Sequence, residues 1–327
     1  MGKAWPLAST REAYGKALVE LGREDPNIVV LGGDLNKSTF TVLFAKEFPE
    51  RFFDLGAAEA NQMSIAAGLA SCGKTPFCST FAVFGTARAF DQVRILIAQP
   101  GANVKMVCTH AGIITGEDGI SAHGVEDLAL MGSFPTFTVV APADAEETVQ
   151  AVRAAAKTPG PFYIRLYRPP TPVVHSGPCR FALGKAELFR DGSDITLIAC
   201  GSMLADALEA GEELEGTGVS CRVLNMHTLQ PLDEEAVERA ARETGAVVCV
   251  EEHLAHGGLG GRVAQAVARR CPVPAEFVAL SRYAESGKPE RLKEKYGLTV
   301  RDVVAAARRA LARKREGAPF PGPSPRG

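Results

Sequence analysis

Short runs of β-branched and apolar residues alternate along this chain with longer Ala-rich stretches whose apolar positions recur at helical spacing. Runs at Asn27–Leu31, Thr75–Thr80, Val104–Thr109, Thr136–Ala141 and Phe162–Leu166 read as strands, with helical patterns between them. Parallel neighbours need a crossover, and the crossover is normally a helix, so this alternation predicts an α/β fold with a doubly wound parallel sheet. Pro159-Gly160-Pro161 stops the helical pattern before the last of these strands. From Pro169 to Gly184 the composition shifts to Pro, Val, Ser and Gly without periodicity, which predicts an interdomain linker. A second, smaller α/β unit follows, with strands at Asp194–Ala199, Ser220–Asn225, Ala246–Glu251 and Glu276–Leu280. Helical patterns at about Leu204–Leu214, Asp233–Thr244 and Gly258–Arg270 separate them, and a last helix is expected over Val300–Arg313. The reading is a first domain over 1–170, a linker over 171–188, a second domain over 189–315 and a Pro/Gly-rich tail over 316–327 expected to be disordered.

Composition narrows the function more than the fold. At 327 residues and 46% hydrophobic, the chain can bury two substantial cores. A net charge of −2 with both signs interspersed offers no basic stripe for nucleic acid and no polybasic segment for a membrane surface, so a small-molecule substrate is expected. The eight cysteines are far apart, with no CxxC pair and no Cys/His cluster at metal-ligand spacing, so no zinc or iron–sulfur site is expected. Cys78, Cys108, Cys200 and Cys249 sit in apolar strand-like runs and read as buried thiols of a reducing cytoplasm. No signal segment or membrane span is visible, so a soluble, cytoplasmic protein is expected.

Chemistry begins at Glu59, in Leu55-Gly-Ala-Ala-Glu-Ala-Asn-Gln-Met-Ser-Ile-Ala-Ala-Gly-Leu-Ala70. Here a lone carboxylate precedes a helix of small residues, with no cation close in sequence. By itself this residue reads first as an acid held by the helix macrodipole. Phe81 and Phe84, three apart at a strand end, can form one aromatic wall or simply be core. His110 ends a strand, where parallel sheets place ligands, and Asp118 and His123 follow in a Gly-rich loop. Arg165 and Arg168 flank the next strand end and could fork an anion, although either could be a plain surface charge.

Several linked motifs resemble the transketolases in order. They are the Glu59 helix, Gly73-Lys-Thr-Pro-Phe-Cys-Ser-Thr-Phe-Ala-Val-Phe84, Cys108-Thr-His-Ala-Gly-Ile-Ile-Thr-Gly-Glu-Asp-Gly119, Asn225-Met-His-Thr-Leu-Gln-Pro-Leu-Asp233 and Val250-Glu-Glu-His-Leu-Ala-His-Gly-Gly-Leu-Gly260. The resemblance runs from about Trp5 to about Lys314. It implies a thiamine diphosphate pyrimidine-binding domain followed by a transketolase C-terminal domain. It also implies transfer of a two-carbon ketol unit from a ketose phosphate to an aldose phosphate, as in the pentose phosphate pathway. Glu59 then matches the acid that bonds the aminopyrimidine N1′, and Phe84 with Phe81 match its aromatic contacts. Where the family continues with a tyrosine this chain has Ala87, and Arg88 or Phe90 could fill the space. Asp34 and Leu35 match the pair beside the thiazolium and the partner domain, although Gly33 stands where the family has Ala. His110 and Asp118 match sugar-binding residues, and His123, in a loop one residue longer than the family's, matches the group that polarises the carbonyl. The resemblance puts Arg165 at the phosphate, with Ser38 as a second contact and Arg168 as the other candidate. His227, His253 and His256 read as structural or interface residues, and His175 carries no signal.

The family's Mg²⁺ segment, Gly-Asp-Gly with a distant Asn, has no counterpart here. Gly32-Gly-Asp34 and Gly116-Glu-Asp-Gly119 lack that context. The resemblance therefore implies the C-terminal subunit of a split transketolase. Mg²⁺ ligands are then expected on an N-terminal partner chain, in a dimer of heterodimers. The β-subunit of a 2-oxoacid dehydrogenase shares the same two-domain plan and is the nearest rival. A fragment of a deoxyxylulose phosphate synthase and a noncatalytic partner that retains the fold are further alternatives. The Thr109-His110 to Gly119 segment and the retention of Glu59, His110, Asp118 and Arg165 together favour the transketolase reading.

Overall fold

The computed structural model describes residues 5–177 and 179–317, so the expected tail beyond Gly317 lies outside the described residues. The strands are β1 (Leu7–Ala8), β2 (Ile28–Gly32), β3 (Phe52–Asp54), β4 (Thr75–Ser79), β5 (Lys105–Cys108), β6 (Thr138–Val140) and β7 (Phe162–Arg165). They continue with β8 (Thr171–Pro172), β9 (Glu187–Arg190), β10 (Ile195–Ala199), β11 (Cys221–Asn225), β12 (Thr228–Gln230), β13 (Val247–Leu254) and β14 (Ala275–Leu280). The first sheet has the order β12-β6-β7-β5-β4-β2-β3, and every pair in it is parallel except β12 with β6. The second runs β14-β13-β10-β11-β9, with β9 antiparallel at its edge. Both faces of the central strands are covered, and β2, β4, β5, β7 and β10 are buried along their whole length.

Local chemistry sets the helix ends. Ser9 and Asp144 accept the N–H groups of Glu12 and Glu147, and Asp233 accepts that of Ala236. Thr299 and Asp302 close a capping box, and the last helix runs over Val300–Glu316, three residues past the expected end. The helix Glu59–Ser71 has almost no amphipathic contrast because it is built of small residues, yet it buries Glu59, Gln62, Met63 and Ala66 on one stripe.

Three departures from the sequence reading matter for the site. β12 belongs by sequence to the second unit but completes the first sheet, pairing Thr228 with Val140. The expected linker carries β8, paired with β1, and its end forms the start of β9. The turn after β4 is neither strand nor α-helix but π-helical, over Phe84–Arg88 and again over Val93–Ala98. None of the described helices is long and apolar enough to cross a membrane.

One buried ionic cluster fastens the two units. Arg165 Nε donates to Asp127 Oδ2 at 2.9 Å and Tyr163 Oη donates to the same oxygen at 2.6 Å. The guanidinium also donates to the carbonyls of Gly124 and, across the interface, Glu252 at 3.1 and 2.8 Å. Glu252 in turn accepts the N–H of Ile114 and the hydroxyl of Ser202 at 2.7 and 2.9 Å. A buried charge that loses its partner is costly. Replacement of Arg165 by Leu should therefore destabilise the chain by about 3–5 kcal/mol, read as a lowered thermal midpoint. A loss within experimental error would show that the cluster does not fasten the fold.

Candidate active site

The described residues bring most of the sequence candidates to one place, the C-terminal ends of β2, β4, β5 and β7, where parallel sheets present their ligand sites. Glu59 is 4% exposed at the first turn of its helix. It is not the isolated acid that its neighbours in sequence suggest. Arg88, delivered by the π-helical turn, places Nη1 3.4 Å from its Oε1. The same guanidinium lies over the Phe84 ring at 3.9 Å from the centroid, so Arg88 fills the space next to Ala87. Phe84 stacks on Phe81 at 5.5 Å, and Phe81 on the His110 imidazole at 3.6 Å. The Phe81–Thr109 bridge and the bond from Ala82 N–H to the Thr109 carbonyl (2.7 Å) fix this stack by joining the two strand ends.

His110 and Asp34 are two of the three described non-glycine residues with positive φ, at 60° and 62°. Such strain persists only where the surroundings impose it, and it gathers at functional sites. Burial, reinforced by the charges of Arg11 and Arg168, pushes the His110 pKa down to about 3 and keeps the ring neutral. Its Nδ1 lies 2.8 Å from the Thr109 hydroxyl. The loop returns through His123, buried, with Nε2 3.0 Å from the Gly116 carbonyl. Burial also lowers the His123 pKa, against the opposing pull of the Gly116 carbonyl and of Asp118.

The arginine expectation is corrected. Arg165 is 1% exposed, and its bonds to Asp127, Gly124 and Glu252 engage it in the core, so it cannot be offered to a substrate. Arg168, the other candidate, is placed differently. It is partly exposed, with Nε 3.5 Å from Asp118 Oδ2 and Nη1 3.1 Å from the Thr115 carbonyl. Sequence reading missed its companion, Arg11, which donates to the carbonyls of Ser38 and Arg168. Arg11 is the second residue of the helix that follows the Ser9 cap, a position that reads as ordinary helix surface; only the fold carries it to the end of β7. Arg11, Arg168, Asp118, His110 and the Ser38 backbone thus form one charged corner. Asp34 is exposed, its N–H bonded to Asp54 at 3.0 Å, and Leu35 next to it is half-buried. His227 and His253 are buried and His256 is exposed.

These features define a two-domain α/β chain whose strand ends gather a buried acid, a stack of aromatic rings and a pair of arginines. Two family profiles match it, the transketolase pyrimidine binding domain over residues 7–173 and the transketolase C-terminal domain over residues 184–303. A putative transketolase C-terminal section from Methanocaldococcus jannaschii is 42% identical over 293 residues, which is 88% of this chain and 92% of that protein. A 6-deoxy-6-sulfo-D-fructose transketolase subunit from a Clostridium species is 42% identical over 305 residues, covering 93% and 95%. Human transketolase is 40% identical over 310 residues, which is 94% of this chain but 49% of that protein. A solved structure described as a split gene transketolase, inactive beta4 tetramer, superposes with a TM-score of 0.88 at 50% identity, covering 94% and 99% of the two chains. The chain belongs to the transketolase family and comprises its pyrimidine-binding and C-terminal domains.

That family uses thiamine diphosphate, and the residues here fit its aminopyrimidine half. Glu59 supplies a buried carboxyl and Phe84 with Phe81 an aromatic wall. Gln62 Oε1, Thr80 Oγ1 and His123 Nδ1 are buried polar atoms without hydrogen-bond partners among the described residues. The first two lie around Gly33, where a Cβ would stand 3.5 and 3.7 Å from them.

A pH dependence follows from the buried imidazoles. His110 is held near 3 and His227, desolvated and close to His175, is pushed down to about 4. Unfolded histidines take up protons near pH 6.5, so below that pH the unfolded state binds more protons and stability falls as pH falls towards 4. Urea unfolding at pH 7.5 and pH 5 should show this loss, up to about 1.4 kcal/mol per pH unit for each histidine. The His227→Gln variant should show a shallower slope. An unchanged slope in that variant would remove His227 as a source.

Proposed function

We propose that the chain is the C-terminal subunit of a two-chain transketolase, working in the cytoplasm as a dimer of heterodimers and moving a two-carbon ketol unit between sugar phosphates. The observation that carries this reading is the unbroken run of contacts from Glu59 through Arg88, Phe84 and Phe81 to His110, whose neighbours are Arg11 and Arg168. Thiamine diphosphate, when bound, would supply a carbon acid whose anion attacks a carbonyl. Glu59 would hold a proton at the pyrimidine N1′, and its burial keeps water from competing for that bond. Phe84 and Phe81 would orient the ring, with Asp34 and Leu35 beside the thiazolium. His110 and His123, both kept neutral by burial, can donate or accept a hydrogen bond at the sugar carbonyl and hydroxyls, and Asp118 can accept from a hydroxyl.

Arg168 and Arg11, with Ser38, would bind the terminal anion. A fork of this kind suits any tetrahedral oxyanion, so a sugar sulfonate, as in the substrate class named for the Clostridium relative, is a second reading of the same corner. One fact supports a split enzyme: the chain covers nearly all of two relatives described as a C-terminal section and as a subunit. Mg²⁺ and the diphosphate would then be held by the N-terminal partner.

Arg168→Ala should cost about 1.5–3 kcal/mol in kcat/KM for phosphorylated acceptors and leave glycolaldehyde nearly unaffected. Equal losses on both acceptors would show that Arg168 is structural. In the enzyme reconstituted with its N-terminal chain, Glu59→Gln should keep most of the cofactor affinity and slow exchange of the thiazolium C2 proton by roughly 10²–10⁴-fold, followed by NMR. Near-normal exchange in that variant would remove Glu59 from the chemistry.

A further inference from the structure

The segment between β8 and β9 crosses a second group of polar side chains, which the candidate active site does not use. His175 is buried there, with Nδ1 2.8 Å from Asp144 Oδ2 and Nε2 3.1 Å from Glu187 Oε2. Asp144 also accepts the backbone N–H groups of Val174 and His175 at 2.9 and 3.1 Å, so the segment is anchored on the N-terminus of the helix Ala145–Lys157. Glu147, in the first turn of that helix, is completely buried, with Oε2 accepting from the Ala143 N–H and Oε1 from Asn225 Nδ2. Cys179, half-buried and four residues after His175, brings its thiol to the same group. One ligand atom from each of Glu147, His175, Cys179 and Glu187 lies within 4.8 Å of all the others.

The composition of this group is not that of an ordinary salt bridge. Carboxyl groups of Asp144, Glu147 and Glu187 gather around one imidazole, with the Cys179 thiol beside them. An imidazole nitrogen, a sulfur and carboxylate oxygens together are the donor set that Zn²⁺ selects, and four such donors close a tetrahedron. The Asp144–His175 bond is the arrangement that orients metal-bound histidines, because a carboxylate on Nδ1–H turns Nε2 towards the ion. A tetrahedral site with bonds of about 2.0–2.3 Å sets its donors roughly 3.3–3.8 Å apart, so side-chain movements of about 1 Å would close this one.

We propose that Glu147, His175, Cys179 and Glu187 form a structural Zn²⁺ site that ties the pyrimidine-binding domain, the connecting segment and the edge of the second sheet together. Glu147 comes from the first domain, His175 and Cys179 from the connection, and Glu187 from β9. Binding replaces the protons on His175 Nε2, the Cys179 thiol and the buried Glu147 carboxyl, which leave to solvent. Metal-ligand spacing in the sequence does not announce the site because its ligands come from three separate segments.

The test is metal content and spectroscopy on the full chain. After chelator treatment, Zn²⁺ loading and dialysis, elemental analysis should find about one zinc per chain, and the thermal midpoint should rise relative to the stripped protein. Loaded with Co²⁺ instead, the chain should show a thiolate-to-cobalt charge-transfer band. Cys179→Ser, isosteric at a half-buried position, should lose that band and weaken Zn²⁺ binding by at least the roughly 10–100-fold that even outer-shell changes cause. Glu187→Gln, at a separate ligand, should weaken it likewise. Substoichiometric zinc on the wild-type chain would overturn the site. So would a band and zinc content unchanged by Cys179→Ser, which would place the metal on another thiol such as the exposed Cys72.

Discussion

The buried charge of Arg165 is the constraint around which the two domains are arranged. A guanidinium stripped of water must find oxygen for its N–H groups, and here the oxygens come from Asp127, from the Gly124 carbonyl and from Glu252 in the other domain. The last of these sets the interface, because the residue whose carbonyl receives Arg165 also sends its carboxylate back into the first domain. Glu252 caps Ile114 N–H and packs against Gly112 so closely that a Cβ there would lie 2.2 Å from Oε1. Gly112 also has a φ of +79°, so two independent reasons exclude a side chain. The second domain thereby holds the loop that carries His110, Asp118 and His123.

The site follows from this arrangement together with the parallel sheet. β4, β5 and β7 are neighbours, and their C-terminal ends deliver Phe81, His110 and Arg168 side by side. Close packing of three strand ends forces the backbone at His110 into the left-handed region and leaves its ring stacked on Phe81 without bulk water. Desolvation beside two arginines then fixes the protonation state of the imidazole. One local geometry thus decides orientation and charge at once.

The neighbourhood of Glu59 shows a different division of labour. Its helix begins with an acid, as the macrodipole favours, and a stripe of small side chains lets it pack closely on the sheet. The π-helical turn adds residues to the usual helical repeat and swings Arg88 across Phe84 to the carboxylate. A regular α-turn would aim the same side chain elsewhere.

What the sequence alone determined was everything carried by local periodicity and local chemistry. The alternation of the main strands and helices in both units and the positions of Glu59, Phe84, His110 and His123 in a family pattern were legible because hydrophobic alternation and short motifs are properties of neighbouring residues. What only the tertiary structure decided involves partners far apart along the chain. β12 joins the first sheet from 88 residues beyond β6, since Thr228 pairs with Val140. Arg11 reaches Arg168 over 157 residues. Arg165 and Arg168 are three residues apart and chemically alike in the sequence. Successive residues at the end of β7 face different surroundings, so one guanidinium is consumed in the core while the other stands at the mouth of the site. That difference is set by which other segments fold against each face, and no pattern local to the two arginines contains it.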